Sequence, residues 1–255
     1  MTGFTRQISI IAALAFTVIV NALAIRLPLN GITTQELSSR YATLVTPAGY
    51  VFGIWSIIYL GLIGFAVYQA LPGQRQRKEI DAIAPAFIIS CIANGGWLVL
   101  WHYEQVLLST VAMVTLLISL IIVVRRLSSL PAQGADHWLL KLPFSIYLGW
   151  VSVATIVNFA VLGYSLGATG RGTFEQAIAI GVLAVGLGLA IFMALRRGDA
   201  AYALVIAWAY VGIALKQSDA QAVVLVAYAF ASLAAFAAVR GWIRGAVPRE
   251  VVPAR

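Results

Sequence analysis

The sequence predicts an all-α integral membrane protein of about eight transmembrane helices, and three observations lead there. Of its 255 residues, 62% are hydrophobic and only 10% charged, with a mean hydropathy of +0.94, which leaves too little polar surface to cover a water-soluble fold. The apolar residues gather in runs near or above the ~20 residues that cross a hydrocarbon core as a helix. The basic residues sit in short clusters between those runs and favour alternate connections, which is how a chain sets its orientation in a membrane.

The runs can be cut at 7–29, 47–71, 82–103, 105–125, 138–164, 174–195, 200–216 and 220–242, each bounded by charge or by proline and glycine. The first follows Arg6 and continues past Ala22-Leu23-Ala24, so it reads as a membrane helix in preference to a cleaved signal peptide. The second begins at Pro47 and the third ends at Tyr103, just after His102. The fourth stops at Arg125, the sixth before Arg196-Arg197 and the seventh at Lys216. With this cutting, one side of the membrane receives Arg6, Arg75, Arg77, Lys78, Arg125, Arg126, Lys141, Arg196, Arg197, Arg240, Arg244, Arg249 and Arg255. The other receives only Arg26, Arg40, Arg171 and Lys216 out of the 17 basic residues. The positive-inside rule then predicts an even number of spans and two cytoplasmic termini, in a membrane taken to be the bacterial inner membrane. The net charge of +8 is a topology signal on this reading, and nucleic acid is not an expected partner.

Ionisable chemistry is kept away from the interior. All nine carboxylates fall in loops or at span ends, whereas transport coupled to protons or sodium places such a group within the spans. His102 and His137 sit at span ends on opposite faces and read as interfacial residues that cannot share a metal or a catalytic dyad. The single cysteine, Cys91, excludes an intramolecular disulfide. Ala177, Gly181, Ala184 and Gly188 form a small-residue stripe, read as packing within the monomer, with a homodimer as the alternative.

What the interior holds is amide and aromatic: Asn21 in the first span; Phe52, Trp55 and Tyr59 in the second; Asn94, Trp97 and Trp101 in the third; Tyr147, Trp150 and Asn158 in the fifth. Spacings of three, four and seven put each set on one helical face. At ~1.5 Å per residue, Asn21, Trp55, Asn94, Trp97 and Asn158 lie roughly 9–14 Å below the outer surface. Four helices thus bring indole or carboxamide groups to one depth, which predicts a shared aromatic cavity. Belt residues such as Trp138 and Trp242 stand at span ends instead. The connection from Asn30 to Thr46, with Pro28 and Pro47 at its ends, is the expected lid.

These residues also carry a resemblance. Pro47-Ala48-Gly49-Tyr50-Val51-Phe52-Gly53-Ile54-Trp55-Ser56-Ile57-Ile58-Tyr59 resembles the second-helix signature of the TspO/MBR family of tryptophan-rich sensory and translocator proteins. Asn94-Gly95-Gly96-Trp97 is similar to its third-helix pattern. Pro143 with Leu148-Gly149-Trp150-Val151-Ser152-Val153-Ala154-Thr155 and Asn158 is similar to its fifth. The resemblance covers about residues 7–164. It implies a five-helix bundle (residues 1–164) that binds a planar apolar ligand, a porphyrin, haem-related tetrapyrrole or sterol-like molecule, with no cofactor required. By position it points to Trp55, Asn94, Trp97, Trp150, Ala154 and Asn158. Three further helices (165–245) and a cytoplasmic tail (246–255) follow, without counterpart in the usual five-helix members. One residue is missing before Trp55, where the family usually has Gly-Pro-Val-Trp and this chain has Gly53-Ile54-Trp55. In a regular helix that deletion turns the upstream residues by about 100° unless a local irregularity absorbs it.

Binding or sensing, without a catalytic side chain, is therefore the leading expectation. A small permease for a hydrophobic metabolite is the alternative, and an enzyme comes third, because no paired carboxylates, no Ser/His/Asp set and no nucleotide loop are present. Light-driven porphyrin breakdown, credited to some members of the family, is a further implication of the resemblance alone.

Overall fold

The computed structural model describes residues 3–27, 29–41, 43–130, 134–168 and 172–246. Pro28, Arg171, Glu250 and the tail from 247 lie outside them. Helices α1 (Gly3–Arg26), α2 (Thr34–Arg40), α3 (Ile54–Ala70), α4 (Lys78–His102) and α5 (Val106–Leu127) come first. A single turn, α6 (Gly134–Asp136), then passes through a π-helical turn, His137–Lys141, into α7 (Leu142–Ser165). Helices α8 (Thr173–Arg197), α9 (Ala200–Lys216) and α10 (Gln221–Ala246) complete the chain, with no strand among the described residues. A backbone in lipid must satisfy its own hydrogen bonds, and a helix does so within each segment.

The protein is an all-α integral membrane protein. Among the described residues, seven helical stretches are long and apolar enough to cross a membrane, and the remaining apolar segment, α9, has 17 residues. At ~1.5 Å per residue α9 reaches about 25 Å, the short limit for a span. Most of its residues are buried, because α7, α8 and α10 all pack on it. Large apolar side chains such as Leu60, Val111, Phe174, Leu225 and Phe236 point outward around the bundle, as a lipid solvent allows.

Helices α1, α4, α5, α7 and α3 pack in a closed ring, each on the next, and α8, α9 and α10 form a second group that meets the ring through α9 on α7. The seam is close because Gly149 lacks a side chain: a Cβ there would lie 3.2 Å from the Tyr202 carbonyl oxygen. The Tyr202 hydroxyl donates to Ser152 Oγ at 2.9 Å across the same seam. Close approach strengthens dispersion contacts, the main attraction between helices in lipid.

The stripe Ala177, Gly181, Ala184 and Gly188 does not pack within the monomer as expected. All four are exposed, and α8 instead turns Ala179, Leu183, Gly186, Ala190 and Ala194 inward. The inward face needs Gly186, where a Cβ would collide with the Tyr210 hydroxyl.

Polar contacts sort to the two ends. At the end where α1 begins, the fully buried Arg6 reaches Asp81 at 2.6 Å and the carbonyls of Gln74 and Arg77, Arg77 pairs with Asp136, and Ser145 donates to Asp199. At the opposite end α2 and the segment after it cover the five-helix ring. That segment is fastened by α9: Gln217 Nε2 donates to the carbonyls of Thr43 and Thr46, both at 3.0 Å, and Ala48 N–H donates to Gly212 O at 2.9 Å. Gln217 is buried, so its replacement by leucine leaves two carbonyls unsatisfied. We expect a loss of about 1–3 kcal/mol, read as a lower thermal midpoint with faster amide exchange at residues 43–48.

Candidate ligand-binding site

All ten sequence-predicted site residues come together in the half of the ring beneath α2. Asn21 Nδ2 on α1 donates to Asn94 Oδ1 on α4 at 2.9 Å, and Asn94 Nδ2 donates to the Tyr147 hydroxyl on α7 at 2.9 Å. A second link joins the same helices, from Trp97 Nε1 to Asn158 Oδ1 at 3.1 Å, while Asn158 Nδ2 donates to Ala154 O. The amides act as a buried polar girdle that fixes the rotation of α1, α4 and α7, an arrangement hydrocarbon favours because an unpaired amide there is costly.

Trp55 stands at the centre of the aromatic group. Its ring stacks on Tyr59 (5.6 Å between centroids, 16° between planes) and on Trp97 (6.0 Å, 29°), and meets Tyr147 (5.9 Å) and Trp150 (6.2 Å) edge-on. Phe52 also reaches Trp150 edge-on at 5.8 Å. Just before Trp55, Gly49–Gly53 winds as a 3₁₀ helix, and α3 begins at Ile54. Phe52, in that turn, and Trp55, in the first turn of α3, both meet the Trp150 indole edge-on.

The shared hollow is nearly filled by Trp55 and its neighbours. What remains is a cavity of about 30 Å³, room for roughly one water molecule. Thr34 and Ser38 of α2 and Pro47 roof it, and Phe52, Trp55, Trp97, Trp101, Trp150, Ala154 and Asn158 are among its walls. Asn21, Asn94, Tyr59 and Tyr147 lie outside that wall and support it.

Three polar groups on the wall stand unused. Ser38 (2% exposed), Trp101 (3%) and Trp150 (2%) have a hydroxyl or indole N–H with no hydrogen-bond partner among the described residues. Trp101 was legible as part of the α4 face, seven residues after Asn94. Ser38 carried no signal, because it lies in a connection whose helix the apolar pattern does not reveal.

The lid is ordered by short-range polar chemistry. Thr33 caps α2 by accepting from Glu36 N–H, and Glu36 accepts in return from the Thr33 N–H at 2.9 Å, a reciprocal capping box. These bonds, backbone first, hold the Glu36 carboxyl below its ordinary pKa, with Arg40 adding a smaller push in the same direction. His102, expected at the interface, does stand at the last position of α4, but the chain covers it fully, with Nδ1 on Leu98 O at 2.8 Å and Nε2 facing Thr34 Oγ1 at 3.3 Å. Together with the bond from Asn30 Nδ2 to His102 O at 3.1 Å, it anchors the lid to α4. The covering segment folds over the chain's own polar end, which buries a residue that would otherwise meet headgroups.

Among the described residues no group of three or more His, Cys, Asp or Glu is placed to hold a metal. No curated protein and no solved structure matches this chain. A family model does, that of TSPO-like protein, over residues 7–240, and the match runs through α8 and α9 and most of α10 as well as the five-helix ring. The chain therefore belongs to the TSPO-like protein family.

Proposed function

We propose that this membrane ligand-binding protein holds a planar apolar molecule of the tetrapyrrole or sterol-like class between Trp55 and Trp150, under α2. The observation that carries the reading is the wall itself. Four tryptophans, three of them buried, and Ser38 leave three hydrogen-bond donors on that wall without partners among the described residues, which a protein interior seldom does and which an acceptor on a ligand would satisfy. Among the described residues no cationic side chain lines the cavity, so the carboxylates of a porphyrin would remain at the mouth while its ring enters.

A ligand of that size needs a pocket of roughly 300–1,000 Å³, so entry requires α2 to lift and Trp55 to rotate from its stack. The basic end of the bundle, with Arg6, Arg77, Arg125 and Arg126, is the end where α1 begins and α10 ends, which supports cytoplasmic termini.

The test is a titration of protoporphyrin IX and a sterol into the full chain in nanodiscs. Saturable tryptophan quenching or a saturable shift of the porphyrin absorbance is expected. Responses no larger than those of empty nanodiscs would overturn the reading.

The lid adds a pH dependence. A carboxyl with its pKa lowered in the folded lid contributes order above its unfolded value of 4.5 and loses it as pH falls through the depressed folded value. Ligand release should therefore accelerate as pH drops below 4.5, and Glu36→Ala, which removes the acceptor altogether, should release fast at neutral pH as well, measured by stopped-flow dilution.

A further inference from the structure

We propose that a second cavity, between α7, α8 and the Thr43–Val45 segment, binds a lipophilic molecule that carries a protonated amine. The cavity measures about 400 Å³, within the range of small-molecule sites, and it is separate from the tryptophan cavity. Helix α7 divides the two: Ala154, Val157 and Asn158 face the first, and Thr155, Ile156 and Phe159 face the second. The space exists because α7 and α8 touch sparingly and small residues, Ala160, Gly163, Ala168 and Ala179, line the gap.

The chemistry of the wall selects the ligand. It is apolar except for a few groups, and Glu175 is the one charged side chain on it among the described residues. Glu175 is half-buried and forms no hydrogen bond or ion pair among them, in contrast to Asp81, Asp136 and Glu104, which are paired with arginines. Phe159 and Tyr164 line the same space, and aromatic rings attract a cation. An ammonium head meets both a carboxylate and aromatic rings there, its tail fills the apolar part, and an anionic amphiphile meets repulsion.

The experiment uses the full chain in nanodiscs with three photoreactive probes of one chain length, a diazirine-bearing dodecylamine, dodecanol and dodecanoic acid, with the labelled peptides mapped by mass spectrometry. The amine should label the 155–168 and 172–183 segments about fivefold more than the other two, the scale of a single partly exposed charge pair. Glu175→Gln should erase that preference, Ala160→Phe should remove the labelling itself, and Trp150→Leu should leave both intact. Equal labelling by the three probes, a preference that survives Glu175→Gln, or labelling unchanged by Ala160→Phe would each overturn the proposal. The Glu175 variant, at a half-buried position, keeps the test valid if the phenylalanine variant fails to fold.

Discussion

Replacing Trp55 and Trp150 together by leucine is expected to weaken protoporphyrin IX binding by on the order of 10- to 100-fold, since each lost aromatic pairing is worth roughly 0.5–1.5 kcal/mol beyond its apolar area. Trp55 touches Tyr59, Trp97, Tyr147 and Trp150, so its leucine variant removes the plane on which a ring would stack while keeping the site apolar. Trp150→Phe separates two roles, because it keeps a ring and deletes the unpartnered indole N–H. A loss confined to ligands that bear a carbonyl or other acceptor would assign that N–H to ligand recognition. The porphyrin Soret shift is the appropriate readout, as the substituted tryptophans contribute to protein fluorescence. Unchanged affinity in the double variant would place the ligand elsewhere.

The largest stability effect is expected at the opposite end. Asp81→Leu leaves the fully buried Arg6 guanidinium without its carboxylate, 2.6 Å away, and removing one member of such a pair costs about 3–5 kcal/mol. The carbonyls of Gln74 and Arg77 still accept from Arg6, which sets the loss nearer the lower figure. The thermal midpoint of the purified protein should fall markedly. In the double variant Arg6→Met with Asp81→Leu, most of it should return, because two apolar groups leave no stranded charge. A double variant as unstable as Asp81→Leu would mean that Arg6 supports the fold through its carbonyl contacts instead.

Much of this side-chain cluster was legible in the sequence. Asn21, Asn94, Trp97 and Asn158 lie at one depth on their helices, and the structure joins them through two direct hydrogen bonds. Helical phase and rise are nearly constant in a membrane segment, so sequence position converts into depth and direction with little error.

The rest was hidden because it depends on which helix lies beside which. Nothing in Gln217 or Gly212 marks them as partners of a segment some 170 residues earlier, yet they hold Thr43, Thr46 and Ala48. The exposed stripe on α8 was misread, and the cover over His102 went unseen, for the same reason: small or polar residues suit either a helix contact or a free face, and only the neighbour decides.

By itself the sequence determined that the chain lives in lipid as apolar helices, where its charges collect, and which face of four helices carries indoles and amides, because composition and helical period are local properties. Tertiary structure alone decided that Trp55 nearly fills the hollow it lines, that α9 fastens the cover of the ring, and that a second cavity opens between α7 and α8. Volume and enclosure arise from the spacing between helices, and packing sets that spacing.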